Sequence, residues 1–452
     1  MGTIGLSFGS ATSGDGFDVA STVSQIIAIQ QAVETPWKNQ LSLLQSQDTA
    51  FSAMGTDLAT LATSVQALTD FNGIFAQKDG SSSDTSIVAL SSATADAVAG
   101  SHEITVTSLA QTSSIYSNAL TGTDTLSGSV TLQVGSGTAQ TITLDDSNNT
   151  VSGLAAAINA AGIGVTASVI TDSSGSRLSL VSGTSGTAGQ LTLTNNLTDT
   201  TTGAAVGTQV GHNGKDASLT VDGIAISSSS NTVSNAIPGV TFQILNTSSS
   251  AIQVQITNDT ASIATALSSF VTAYNTVVAD IKTQEGKDSS GNAQPLYGDP
   301  TLALIQQQLG STLIAGAASG GISSLSQLGI DVGQDGTLTF TQSTALAELS
   351  SNFSDAVGFF QNTGSFGSSL TNTLNGLSST RTTGVIYLAL QQNTSQESTL
   401  NKNISDTEAR IATQKDTLTT QLNEANEILQ SIPSQLEQVE KMYSAVTGYN
   451  TK

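Results

Sequence analysis

Residues 404–446 read ISDTEARIATQKDTLTTQLNEANEILQSIPSQLEQVEKMYSAV. The spacing of their apolar positions decides the architecture. Ile404, Ile411, Leu418, Ala425, Ile432, Val439 and Val446 recur every seven residues, and Leu422, Leu429, Leu436 and Tyr443 stand four residues after successive members. Two rows offset in this way make one continuous apolar seam, the sign of a helix that packs lengthwise on another helix. A helix of about 45 residues is predicted, about 65 Å long at about 1.5 Å per residue. Pro433 removes a backbone donor and is expected to kink or split it near Ser431. A helix with a single seam is not stable alone, so a second segment of the same period is required. Residues 37–78 supply it. Trp37, Leu44, Phe51, Leu58 and Val65 keep the seven-residue beat, with Met54, Leu61, Leu68 and Phe75 three residues further round. The two ends of the chain are therefore expected to meet, with everything between them an excursion.

The excursion changes period at Asp79-Gly80. Ile104/Val106, Val130/Leu132/Val134, Ile142/Leu144, Val165/Ala167/Val169, Leu178/Leu180, Val240/Phe242/Ile244 and Ile252/Val254/Ile256 alternate apolar with polar residues, as half-buried strands do. Leu219/Val221 and Ile224/Ile226 flank Asp222-Gly223, a hairpin signal. One helical stripe, Val151, Leu154, Ala155 and Ile158, interrupts the strands and makes residues 126–193 a compact α+β unit. Helical spacing returns after Asp259 with Ile263, Leu267, Phe270, Tyr274, Val277 and Ile281. Asp299-Pro300 opens another helix, with Leu302, Ile305, Leu309 and Leu313 as its stripe. A hairpin is read over 325–340 and a helix over 346–360. Near the N-terminus, Asp18 is placed to cap a helix carrying Val19, Val23, Ile26, Ile27 and Val33, which Pro36 interrupts.

Composition limits the chemistry. The 452 residues carry a net charge of -22 from 34 acidic and 12 basic residues, and between Asp79 and Asp259 the only bases are Arg177 and Lys215. Phosphate recognition rests on Lys and Arg, so nucleic acid and anionic membrane surfaces are excluded as partners. No run of 18 apolar residues occurs, and membrane insertion is not expected. The chain has no cysteine, which excludes disulfides and thiol catalysis. The first ten residues lack the basic and apolar regions of a Sec-type signal. Gly5-Leu6-Ser7-Phe8-Gly9 matches the nucleophile-elbow pattern, but no strand precedes it and only His102 and His212 could serve as base, so it reads as a Gly/Ser terminus. Neither histidine has convergent donors for a metal, Asp15 and Asp18 lack the rest of a calcium loop, and Asp145-Asp146 reads as a turn. No cofactor and no enzymatic activity are expected.

The ordered set of short motifs resembles the flagellar filament capping protein family, also called flagellar hook-associated protein 2. Phe17-Asp18-Val19, Val23-Ser24-Gln25-Ile26-Ile27-Ala28 and Glu34-Thr35-Pro36 resemble its N-terminal signature, although Gly16-Phe17-Asp18 stands where the family typically has Gly-Leu-Asp. Asn159-Ala160-Ala161-Gly162 followed by Val165-Thr166-Ala167-Ser168-Val169 is similar to the flagellin/hook insertion motif. Val221-Asp222-Gly223, Asn231-Thr232-Val233 and Ile237-Pro238-Gly239-Val240-Thr241 look like its middle domain. Phe270-Val271, Tyr274-Asn275, Gly298-Asp299-Pro300 and Leu325-Ser326-Gln327-Leu328-Gly329-Ile330 look like its C-terminal region.

The resemblance implies a cap at the distal tip of the flagellum that promotes folding and insertion of exported flagellin, with adhesion as a further role. It implies a self-assembled ring, a pentamer within a range of four to six subunits. It also implies contacts with flagellin and the hook–filament junction proteins, an export chaperone, and secretion by flagellar type III export. The expected fold is α+β multidomain: N- and C-terminal helices forming a coiled-coil bundle, with inserted β-rich, sandwich-like domains. The expected layout is a flexible export and leg segment over 1–36 and a coiled-coil helix over 37–78. A β-rich middle domain covers 79–117 and 216–258, and an inserted α+β domain covers 118–215. The rest of the helical domain is 259–400, and the C-terminal coiled coil and leg are 401–452. The coiled-coil seam is assigned to Trp37, Leu44, Phe51, Leu58, Val65, Ile404, Ile411, Leu418, Leu422 and Leu429. Leg contacts with flagellin are assigned to Val19, Val23, Ile26, Ile27, Ile432, Leu436, Val439 and Val446, and ring contacts to 302–360 together with the β domains. Another axial protein of the flagellum, a flagellin or a junction protein, would share these helical ends, and a surface adhesin would use the β domains.

Overall fold

The computed structural model describes residues 15–316 and 320–448; the Gly5–Gly9 motif lies outside them. The chain divides into two compact units. One is built from the described parts of 1–69 and 264–452, the other from 70–263.

The first unit begins with α1 (Val19–Gln31). One turn of 3-10 helix (Ala32–Glu34) then leads into α2 (Thr35–Thr69). From residue 19 onward the segment expected to be flexible is thus helical. Pro36 does not break it, because a proline in the first turn of a helix gives up only a donor that would be unpaired anyway. α2 ends earlier than residue 78: Asp70 accepts from the amides of Asn72 and Gly73 and turns the chain out of the helix.

The second unit contains two cores. β1 (Lys78–Ser82), β2 (Val88–Ala93) and β3 (Gly100–Ser108) lead into an inserted domain. That domain comprises β4 (Thr112–Ser117), β5 (Leu126–Val134), β6 (Gln140–Thr143), α3 (Val151–Ala160), β7 (Val165–Asp172), β8 (Gly175–Ser185), β9 (Leu191–Asp199) and β10 (Thr208–His212). The chain returns through β11 (Ala217–Val221), β12 (Ile224–Ser228), β13 (Thr232–Ile237), β14 (Val240–Ile244) and β15 (Ile252–Asn258). The outer core packs the sheet β1-β15-β3-β11-β12 on the sheet β13-β14-β2, closing over Val88, Ile104, Leu219, Phe242 and Val254. The inserted core joins the sheets β10-β4-β8-β7 and β6-β5-β9 to α3, around Leu132, Leu154, Ile158 and Leu180. The chain passes between the cores at Gln111 and Lys215, which bridge each other. The inserted domain therefore takes in 112–117, which the sequence places in the middle domain, because β4 ladders with β8 and β10. The Asp222-Gly223 hairpin forms with both residues at positive φ, as a tight two-residue turn requires. The Asp222 carboxylate accepts from the Glu103 amide and the His102 ring, and the histidine bond in particular holds its pKa below the usual carboxylate value.

The chain re-enters the first unit within α4 (Thr260–Gln284), whose Ile263, Leu267, Phe270, Tyr274, Val277 and Ile281 are all buried. By length and composition α4 could cross a membrane, but half of its most apolar stretch is buried inside the protein, as in a core helix. α5 (Pro300–Ala315) follows, capped by Asp299. The hairpin β16 (Ile330–Val332) and β17 (Leu338–Phe340) comes next, then α6 (Gln342–Ser351), α7 (Phe353–Gln361) and α8 (Phe366–Leu377). Leu302, Ile305, Leu309 and Leu313 face inward, and Phe359, Phe360 and Phe366 form one buried aromatic cluster. These side chains of the stretch assigned to ring contacts are core.

α9 (Val385–Thr447) is a single helix of 63 residues with Pro433 inside it. It starts well before residue 401 and does not split. Pro433 deletes one bond of the ladder, while the hydroxyls of Ser431 and Ser434 donate to the carbonyls of Ile428 and Ser431 beside it. Replacing Pro433 with Ala should remove a penalty of about 3 kcal/mol from the helix. Amide exchange across 428–440 should slow several-fold, and unchanged exchange there would mean that the proline costs this helix nothing.

Candidate functional site

The site with assembly character is the antiparallel pairing of α1 and α2 with α9. Three polar links fix its direction: Phe17 N donates to Asn426 Oδ1 at 2.9 Å, Lys38 Nζ to Glu408 Oε1 at 3.0 Å, and Asn393 Nδ2 to Asp48 Oδ1 at 2.7 Å. As numbering rises along the first strand of the pair, it falls along the second.

Each helix begins for a local reason. Asp18 caps α1 by accepting from the Ser21 amide. The chain reaches that cap through Gly16, whose φ is +65°, and a Cβ there would collide with the Asn426 side chain. α1 buries Val19, Val23 and Ile27 against Ile411, with Phe17, Leu418 and Leu422 alongside. α2 buries Leu44, Phe51, Met54, Leu58, Leu61, Val65 and Leu68, and α9 buries Ile386, Leu400 and Ile404. A fully buried side chain of this size contributes about 1.5–3 kcal/mol, so the α2 portion of the seam is held far more firmly than the α1 portion.

Three buried polar side chains lie within the apolar contact: Asn393, Thr407 and Glu34. Asn393 is buried and reaches Asp48, and an in-seam pair of this kind discriminates one register from its neighbours. Glu34 is only 2% exposed and binds Lys38 at 2.9 Å through Oε2. The hydrogen bond to Glu34, followed by that to Glu408, raises the pKa of Lys38 above the ordinary lysine value. A raised pKa gives a contribution that is present below the unfolded lysine value and is lost only as pH climbs through the folded one. Glu34 Oε1 and Gln30 Oε1 are buried without a hydrogen-bond partner.

Of the seam positions read from the sequence, Leu44, Phe51, Leu58, Val65, Ile404 and Ile411 are buried, while Trp37, Leu418, Leu422 and Leu429 are half-buried. The leg positions divide. Val19, Val23 and Ile27 are turned into α9 and cannot meet another chain while α1 lies there. Ile26 and Ile432 are half-buried. Leu436, Val439 and Val446 are 46%, 56% and 86% exposed, and with Ile428, Met442 and Tyr443 they leave the end of α9 lined with uncovered apolar side chains. Sequence reasoning missed Asn393 and Asp48, because the apolar beat is lost across the polar stretch 391–399 where they meet.

Elsewhere the geometry is structural. Among the described residues no group of three or more His, Asp or Glu side chains is placed to hold a metal. Asp18 is spent as a cap, and His102 pairs with Asp222 at 2.7 Å. Asp145 accepts from the Ser147 hydroxyl and amide in a tight turn, and the hydroxyl first of all holds its pKa down. An enclosed cavity in the inserted core is lined mainly by apolar side chains, Leu154 and Leu180 among them. At about 10 Å³ it has room for one water at most.

Residues 15–113 match the family model for the flagellar hook-associated protein 2 N-terminus, and residues 214–443 match that for its C-terminus. Neither covers 114–213, essentially the inserted domain. The B-type flagellar hook-associated protein 2 of Pseudomonas aeruginosa PAO1 is 32% identical over 375 residues, 76% of this chain and 78% of that protein. The flagellar hook-associated protein 2 of Escherichia coli K12 is 31% identical over 461 residues, 92% of this chain and 96% of that protein. The crystal structure of the flagellar cap protein FliD D1-D2-D3 domains from Escherichia coli superposes with a TM-score of 0.56 at 28% identity, covering 76% of this chain and 99% of that one.

The unequal burial along the seam is testable. Val23→Asp should free α1 alone. Amide exchange should accelerate over 19–31 while the α2 seam around Leu58 stays protected and the melting midpoint stays within a few degrees. Loss of protection throughout α2 would show that the two portions form one cooperative unit.

Proposed function

The chain belongs to the flagellar hook-associated protein 2 family, the caps of bacterial flagellar filaments, and from that premise we propose how its paired ends serve the cap. The protein is a structural component of the filament tip, not an enzyme; it oligomerises and sits on the filament. In the proposed reading, the α1–α9 end is the leg. It stands on flagellin through the outer strip of α9: Ile432, Leu436, Val439 and Val446.

The observation that carries this reading is the length of α9 that no helix among the described residues covers. α1 is entered at Phe17, opposite Asn426, yet α9 runs on to Thr447, about 30 Å further at about 1.5 Å per residue. Its apolar side chains remain exposed along that length, and contiguous exposed apolar surface marks a site of protein contact. Val19, Val23 and Ile27 serve the leg indirectly, by bracing α9. The cap shelters arriving flagellin while it folds and inserts, which needs position and enclosed space and no bond chemistry. A ring of five subunits within a range of four to six, neighbouring junction proteins during early assembly, an export chaperone and passage through the flagellar type III channel complete the proposal. A cysteine-free sequence suits such passage, since no disulfide can form in transit.

The double substitution Leu436→Asp and Val439→Asp tests the leg. Both side chains are exposed, so circular dichroism and melting should match the parent. Cells carrying the variant should release unpolymerised flagellin into the medium and bear short filaments or none. Filaments of normal length would remove the strip from the contact surface.

A further inference from the structure

Beside the apolar strip, and resting on the leg assignment, lies a polar groove that reads as a recognition element. Two open clefts of about 490 and 280 Å³ run side by side along α1 and α9 and share Gln30, Arg410 and Gln414. Ile26 and Leu418 line the first, and Val33 and Ile411 the second. Most of the other lining side chains are polar, Thr413, Thr417 and Gln421 among them, so the clefts offer hydrogen-bonding groups around these four apolar contacts, as the polar rim of a protein interface does.

Charge supplies the specificity. In a chain of net charge -22, Arg410 has no ion pair among the described residues, although two carboxylates lie within four residues of it on its own helix. Both are engaged by other cations: Asp406 by Lys402 at 2.8 Å, and Glu408 by Lys38 at 3.0 Å. The planar guanidinium, free at the edge of the groove, is matched to a carboxylate that can accept two parallel hydrogen bonds. Gln30 Oε1, buried in the same wall, has no donor. A buried acceptor left unpaired is costly, so turning the Gln30 side chain into the groove to meet an occupant's N–H relieves that cost. A single cation in an acidic chain does not make a phosphate surface, which excludes nucleic acid and lipid headgroups. The elongated course between two helices fits a third helix laid alongside.

We propose that this groove takes an amphipathic helix of a filament subunit that carries a carboxylate beside its apolar stripe, with an amide donor near it. Arg410 pairs with the carboxylate and Gln30 accepts from the amide. The apolar strip of α9 then gives the leg its grip, and the groove selects what is gripped.

The experiment is a titration of the purified chain with purified flagellin monomer at low and moderate salt, for the parent, Arg410→Ala, Arg410→Lys, and the Leu436→Asp/Val439→Asp variant. Arg410→Ala should weaken binding about tenfold and flatten the salt dependence, with melting unchanged, and Arg410→Lys should recover only part of the loss. If Arg410→Ala binds as the parent does while the strip variant fails, the groove proposal is overturned and the leg assignment stands. If Arg410→Ala leaves flagellin binding intact but lowers self-association in sedimentation, the occupant is a second copy of this chain and the proposal is likewise overturned. If the strip variant binds flagellin normally, the leg assignment itself fails.

Discussion

The structure depends on one contact, the burial of the α2 seam against helices that include α9. Leu44 and Leu58 lie near the start of the chain, and Ile404 near its end. Neither long helix has an apolar face that it can bury by itself. Joining them requires closing a loop that includes the whole second unit, residues 70–263. The entropic cost of closing a loop grows only slowly with its length. A large β-rich excursion is therefore tolerated so long as its own cores, around Phe242 and around Leu154, fold within it.

Apolar contact alone would allow the helices to slide by a heptad. The polar links resist that. Asn393 meets Asp48 in the buried part of the pairing, Lys38 ties Glu34 to Glu408 further along, and Asn426 receives the Phe17 amide where α1 begins. Displacement by one repeat would leave the buried Asn393 without Asp48 and part Lys38 from Glu408, a loss large enough to favour a single alignment. That alignment determines which part of α9 stays bare. Because Asn426 meets the entry to α1, the α9 residues after it are the ones that no helix among the described residues covers.

Much of this was legible in the sequence because the two periods are so distinct. The seven-residue beat of Ile404–Val446 and Trp37–Val65 located both long helices, and two-residue alternation located the strands down to the Asp222-Gly223 turn. Where the structure departs from these expectations, a local signal yields to the helix as a whole. Pro433 is expected to break α9, yet it removes only the donor to the Leu429 carbonyl, and the rest of a 63-residue ladder carries the helix through. Val19, Val23 and Ile27 were expected to face another protein, because periodicity gives a helix its apolar face without saying what covers it; here Ile411, Leu418 and Leu422 do. The first turns of α9 and the exchange of β4 into the inserted domain depend on contacts distant in sequence, which no window of residues contains.

The central claim is that the end of α9 is the part of the cap that stands on the filament. The most direct measurement is site-specific photo-crosslinking from position 439 in assembled flagella, with the products identified by mass spectrometry. The account predicts adducts to flagellin. Adducts confined to other copies of this chain, or to its own residues, would contradict it.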